Sequence, residues 1–211
     1  MIDADQAKAL ILRRSEGSYG GTERFTVQSC ALSERGDYWV IRVNSEDFVV
    51  RGMRERCYVG ANAHLVDTAT GRIETVGSGQ SVEQYLEDKY DAAAAGDMHY
   101  VLGPDFGRDA KMAVIRLRQK LECSLAQAMM LVSPASSDWL TGKKSTLSHA
   151  QAMLLREGIA TVIRLQADAA SAVPIDDSIW HWRALKAALN GLATQPSSQQ
   201  GVLPGQPPSR A

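Results

Sequence analysis

At 211 residues, with 45% hydrophobic and 22% charged residues, the chain is long enough for one large domain or two of about 100 residues, and its composition suits a protein that buries a core. No apolar run reaches the roughly 18 residues of a membrane span, and MIDADQAKAL carries acids where a secretory signal needs a basic start, so no membrane association and a cytoplasmic location are expected. The net charge of -1 is unevenly shared: residues 1–97 hold 11 Lys/Arg against 16 Asp/Glu and residues 98–211 hold 12 against 8, which predicts two domains that attract each other or face different partners.

Ala7, Leu10, Ile11 and Arg14 recur at helical spacing, so residues 3–15 are predicted to form an amphipathic helix started by Asp3 or Asp5 and ended by the glycines beyond it. RFTVQSCAL reads as a strand with Phe25, Val27, Ser29 and Ala31 on one face. Glu34-Arg35-Gly36-Asp37 is a hairpin turn, its Arg-Gly-Asp triplet included, and the return strand sets Trp39, Ile41 and Val43 opposite Tyr38, Val40 and Arg42. An irregular stretch, SEDFVVRGMRERC, leads to a second hairpin turning at residues 67–71. Ser81, with Gln84 three positions on, has the capping-box pattern and opens a helix to about Ala94. Gly77-Ser78-Gly79 before it lacks the GxxxxGK[ST] of a phosphate loop.

The second half opens with the strand HYVLGPD, a turn at Phe106-Gly107-Arg108, and the helical stretch DAKMAVIRLRQKLE, whose apolar stripe is assigned to Met112, Ile115 and residues 117–121. Ser124 caps a short helix that Pro134 stops. Next come a link containing Trp139, a helix beginning near Ser145 or Ser148 and ending at Gly158, and the strand ATVIRLQ. ADAASAVP reads as a linker. Beyond it a helix starting at Asp176 or Asp177 carries a stripe of Ile179, Trp182, Leu185, Ala188, Leu189 and Leu192 that needs a cover, from this chain or from a partner. Residues 194–211, rich in Pro, Gln, Gly and Ser, have the composition of a disordered tail.

Two resemblances accompany this reading. Tyr38-Trp39-Val40, Gly60, Leu65-Val66-Asp67, Thr70-Gly71, Gly77-Ser78-Gly79 and the segment from Tyr85 to Tyr90 make residues 3–92 similar to the immunity protein 35 family of bacterial polymorphic-toxin systems. That resemblance implies inhibition of a cognate toxin by direct binding. Residues 98–166 resemble the C-terminal domain of the bacterial ribosomal stalk protein through Lys111-Met112-Ala113-Val114-Ile115-Arg116, Arg118, Ser124-Leu125-Ala126-Gln127-Ala128, Leu131-Val132 and Leu154-Leu155-Arg156-Glu157-Gly158. In that family the first helix and a lysine on the second form the docking face for translational GTPases. Lys111, Ile115 and Arg116 match the face, and Met129 stands at the lysine's position. The expected fold class is α+β: an N-terminal α+β domain with antiparallel hairpins over 1–96, a small α/β stalk-protein-like domain over 97–168, a linker and amphipathic helix over 169–193, and the tail over 194–211.

His64, His99, His149 and His181 fall in four different predicted elements without metal-ligand spacing, so no metal is assigned. Cys30, Cys57 and Cys123 lack a CxxC pairing and are read as reduced and buried. There is no GxSxG, and the neighbouring carboxylates of Glu46-Asp47 and Glu87-Asp88 read as solvated surface. No catalytic residue and no cofactor is assigned, and the chain is expected not to be an enzyme. Glu34, Asp37, Glu46 and Asp47 lie at or beside hairpin ends, where an inhibitor sets acids against a basic nuclease or deaminase. Lys111, Ile115 and Arg116 form the other candidate surface. Nucleic acid is not the expected partner, because aromatics are not interleaved with the second half's basic residues. The expectation is an immunity protein neutralising a cognate toxin; the alternative is a translation- or ribosome-associated adaptor that contacts a translational GTPase.

Overall fold

Residues 1–18 and 23–193 are described by the structure, a computed structural model; the tail expected over 194–211 and part of the glycine-rich turn lie outside them. The chain is α+β and divides into two units, Met1–Tyr90 and Asp91–Ala211, the division falling inside a helix, α3 (Val82–Ala95).

The first unit opens with α1 (Ala4–Ser18). Asp3 starts it: its Oδ1 accepts from the N–H groups of Asp5 and Gln6 at 3.0 and 2.8 Å, and Gln6 Oε1 accepts the Asp3 N–H at 3.0 Å, a reciprocal cap. The helix continues through Gly17, whose cost of about 1 kcal/mol in a helix is too small to end it. Four antiparallel strands come next, in the order β1 (Phe25–Leu32), β2 (Tyr38–Ser45), β3 (Ala61–Asp67) and β4 (Ile73–Gly77). A bulge between Val27 and Ser29 corrects the alternation expected for β1. The extra residue reverses the facing of the rest of the strand, so Val27 and Cys30, not Val27 and Ser29, join Trp39, Ile41 and Val43.

That face packs on α1, where Ala7 and Ile11 meet Ile41 and Val66 in a fully buried cluster. Trp39 Nε1 closes its edge by donating to the Ile2 carbonyl at 2.9 Å. The opposite face buries Tyr38, Ala63, Leu65 and Val76 beneath Val82 and Leu86 of α3. Ser81 Oγ caps α3 by accepting the Gln84 N–H at 3.1 Å. The irregular stretch between β2 and β3 holds a short helix, α2 (Glu46–Val49), and a 3-10 turn at Arg54–Arg56. Both are pinned by Ser45, whose Oγ accepts from Phe48 N at 3.1 Å and donates to the Arg56 carbonyl at 2.7 Å.

The second unit runs β5 (His99–Pro104), α4 (Lys111–Leu121), α5 (Leu125–Leu131), β6 (Leu140–Thr141), α6 (Lys144–Arg156), β7 (Thr161–Gln166), β8 (Val173–Pro174) and α7 (Trp182–Leu192). Its sheet has the order β7-β5-β6-β8, with β5 antiparallel to both neighbours and β6 parallel to β8. The segment around Trp139, expected to be a link, is the centre of this unit. Trp139 is fully buried, its Nε1 donates to the Leu131 carbonyl at 2.7 Å, and its N–H donates to Leu102 O at 3.0 Å. ADAASAVP is not a free linker, because its last residues form β8 and join the sheet.

One helix start and one helix face differ from expectation. Helix α6 begins at Lys144, beside Ser145 as expected, with Lys143 at its N-cap. His181, not Asp176 or Asp177, caps α7, its Nδ1 accepting the Ala184 N–H at 3.0 Å. In α4 the inward stripe is Val114, Leu117 and Leu121, and Met112 and Ile115 face outward with 76% and 40% of their surface exposed. The cover for α7 is this unit's own core: Leu185, Leu189 and Leu192 pack with Leu117, Leu121 and Leu131. Asn190 Nδ2 donates to the Leu121 carbonyl at 3.1 Å, and Lys186 pairs with Glu122 at 2.8 Å.

Candidate functional site

In the first unit α3 is tethered to the β4 side of the sheet. Glu74 on β4 accepts from Tyr85 Oη at 3.0 Å and Lys89 Nζ at 2.5 Å, and the Lys89 hydrogen bond helps hold the Glu74 carboxyl below its ordinary range. Lys89 also sits 4.6 Å from the centre of the Tyr38 ring. A second tether reaches the β1–β2 turn, where Tyr90 donates to Asp37 Oδ1 at 2.7 Å and Ser33 Oγ donates to the same atom at 2.7 Å. Burial and this hydrogen bond push the Tyr90 hydroxyl up to about 12. Burial would raise Asp37, but its hydrogen bonds outweigh that and keep it ionised below the usual carboxylate range.

With α3 held over β3 and β4, the same face of β1 and β2 is left partly open as a cleft of about 450 Å³. Ala31, Val40 and Arg42 form its floor, and Val82, Leu86 and the carboxylates of Glu83 and Glu87 its helical wall. Glu34, Arg35 and Tyr90 close one end, with the Arg35 guanidinium 3.7 Å above the Tyr90 ring. Glu34, Glu83 and Glu87 are exposed and make no ion pair among the described residues.

The acids picked out by sequence do not act together. Asp37 precedes β2 and Glu46 comes directly after it, so they lie at opposite ends of a strand, roughly 30 Å apart along the chain at about 3.3 Å per residue. Asp37 is committed to Ser33 and Tyr90. Glu46 and Asp47 are committed to Arg51, at 3.7 and 2.7 Å, in a hollow of about 240 Å³ shared with Glu23 and Arg24. Sequence reading passed over Glu83. It paired Glu87 with its neighbour Asp88, although the i,i+4 spacing of Glu83 and Glu87 beside Val82 and Leu86 signals a carboxylate row bordering the buried stripe.

In the second unit Lys111, Met112, Ile115 and Arg116 share the solvent side of α4. Arg116 extends over the end of α6, where Gly158 (φ +75°) leaves room for it: a Cβ there would lie 2.7 Å from Arg116 Nη1. Lys120 reaches Glu157 at 2.8 Å, so the last turn of α6 faces two cations, the favoured sign at a helix C-terminus. Met129 is partly buried against the core, and its carbonyl accepts from Arg108 Nε at 3.2 Å. Leu125 and Met130 on α5 are exposed by 54% and 37%.

Among the described residues no group of three or more His, Cys, Asp or Glu is placed to hold a metal, and no helix is long and apolar enough to cross a membrane. Cys30, Cys57 and Cys123 are free and partly buried, and burial pushes the Cys30 and Cys123 thiols up. His64 bonds Thr75 Oγ1 at 3.1 Å, and its pKa is lowered by burial and then by Arg14. Comparison with protein-family models, with curated proteins and with solved structures finds no match.

Proposed function

We propose that this chain is a protein-binding protein of the immunity type, which neutralises a toxin by direct contact through its first unit. The observation that carries the reading is the open half of the sheet face, an apolar cleft bordered by Glu34, Glu83 and Glu87. Such a surface combines apolar area with a charge pattern that selects a basic partner. The resemblance of residues 3–92 to the immunity protein 35 family supports the same conclusion. The cleft replaces Glu46 and Asp47 as the expected contact, because Arg51 is already paired with both of those acids. Co-expression with the products of neighbouring genes should yield a one-to-one complex with a toxic protein on gel filtration. Glu83→Lys with Glu87→Lys should weaken it, and the absence of any toxin complex would refute the reading.

A second reading draws on the second unit. Met112 and Ile115, exposed between Lys111 and Arg116, form an apolar and basic strip where the stalk protein's docking face would lie. On that reading the chain is an adaptor for a translational GTPase. A pull-down at low salt should recover such a GTPase and Met112→Asp should abolish the capture; recovery of none removes this alternative.

A further inference from the structure

The open cleft adjoins an open sheet edge. β1 is the outermost strand, and its hairpin bond from Ser33 N to Tyr38 O, 2.8 Å, fixes which of its amides point inward. In an antiparallel pair, hydrogen-bonded and non-hydrogen-bonded partners alternate. Ser33–Tyr38 and Ala31–Val40 are therefore bonded pairs, whereas Leu32–Trp39 and Cys30–Ile41 are not. The N–H and C=O groups of Leu32 and Cys30 thus point away from the sheet, and no backbone hydrogen bond from another described segment meets them. The bulge at Val27/Ser29 interrupts this edge on one side and the hairpin turn on the other, so the free stretch suits a short strand.

We infer that β1 accepts an extended segment of the partner protein as a fifth strand, and that this segment alternates apolar with basic side chains. The inference rests on the proposed protein-binding role and names the chemistry of the partner's contact. Strand addition satisfies the outward backbone groups of Cys30 and Leu32. Because side chains alternate across a strand, every second residue of the added segment points toward the α3 side. There it meets the apolar floor of Ala31 and Val40 and the carboxylates of Glu34, Glu83 and Glu87. Of the two arginines in the cleft, Arg35 is occupied by the Tyr90 ring and lies in the field of Asp37. Arg42 remains against three carboxylates, and the balance selects a cationic segment over an anionic one.

The test uses the full chain and two short peptides, one alternating lysine with valine and one alternating glutamate with valine, with binding read from the amide resonances of the protein. The lysine peptide should bind in a salt-sensitive manner and shift the Cys30 and Leu32 amides. Its affinity should fall about tenfold in the Glu83→Lys, Glu87→Lys double variant, the size expected for losing and reversing two exposed charge contacts. A lysine peptide with proline at alternate positions, which cannot donate along the edge, should not bind. Equal binding of the glutamate peptide, unchanged affinity in the double variant, or binding without a shift in β1 overturns the inference. A toxin complex that persists despite failure of the peptides would refute strand addition alone. Peptide binding without any toxin complex would retain the strand-accepting edge and remove the immunity role.

Discussion

Replacing Leu189 with alanine separates two roles for α7, a packed element of the second unit or a helix held for a partner. Leu189 has no exposed surface and belongs to the cluster that includes Leu117, Leu121 and Leu131. Removing its side chain beyond Cβ takes away buried methyl and methylene groups and leaves a cavity that the close-packed neighbours fill only in part. Comparable core replacements cost about 2–5 kcal/mol, and the upper half of that range is expected here because α4 and the sheet fix the surroundings. The assay is urea unfolding of the full chain monitored by tryptophan fluorescence, since Trp139 is in the same cluster and reports its loss. A variant whose midpoint moves by less than the equivalent of about 1 kcal/mol would refute the packing argument and return α7 to the role of a docking helix.

Three further outcomes are expected. Gly103→Ala should be more damaging than its size suggests, because a Cβ would lie 1.9 Å from the Ser137 carbonyl oxygen; a loss of about 3 kcal/mol or failure to fold, measured by thermal melting, is expected from forced backbone movement. Ser124→Ala removes the hydroxyl half of the reciprocal cap with Gln127 and should cost about 1 kcal/mol in chemical denaturation. Tyr90, raised to about 12 from 10.0, contributes stability that is fully present below pH 10 and lost as pH rises through 12, because the folded state favours the protonated hydroxyl. Tyr90→Phe should therefore flatten the alkaline limb of a stability-against-pH curve, and an unchanged limb would contradict the Tyr90–Asp37 bond.

Elements with strong local signals were legible in the sequence. The alternation of Trp39, Ile41 and Val43, the cap at Ser81 and the terminal Gly158 all correspond to observed structure. What local pattern could not supply was anything decided by distant partners. The two-residue strands β6 and β8 exist only because β5 and each other provide pairing, and two residues carry no periodicity to detect. The bulge in β1 is invisible to a strict period of two. In α4, Met112 and Ile115 have the same apolar character as Val114 and Leu117, and only the placement of the sheet and α7 decides which pair is inward. The cleft escaped for a related reason: the spacing of Glu83 and Glu87 marks a carboxylate row, but that the row borders an open sheet face depends on where α3 lies across the sheet.

The position of α3 therefore links the stability of the first unit to the shape of the cleft. Glu74, Lys89 and Tyr85 fasten the helix to β4, and Tyr90 fastens it to the turn before β2. The Glu74 tethers hold α3 against β4, over Ala63, Leu65 and Val76, while Ala31 stays exposed and Val40 half-buried on the same face. Asp37 consequently bears on the cleft from outside it, because its bond to Tyr90 helps hold the helix that carries Glu83 and Glu87. Loss of that bond should be read in the orientation of the carboxylate row, and a partner that depends on the cleft would be lost with it.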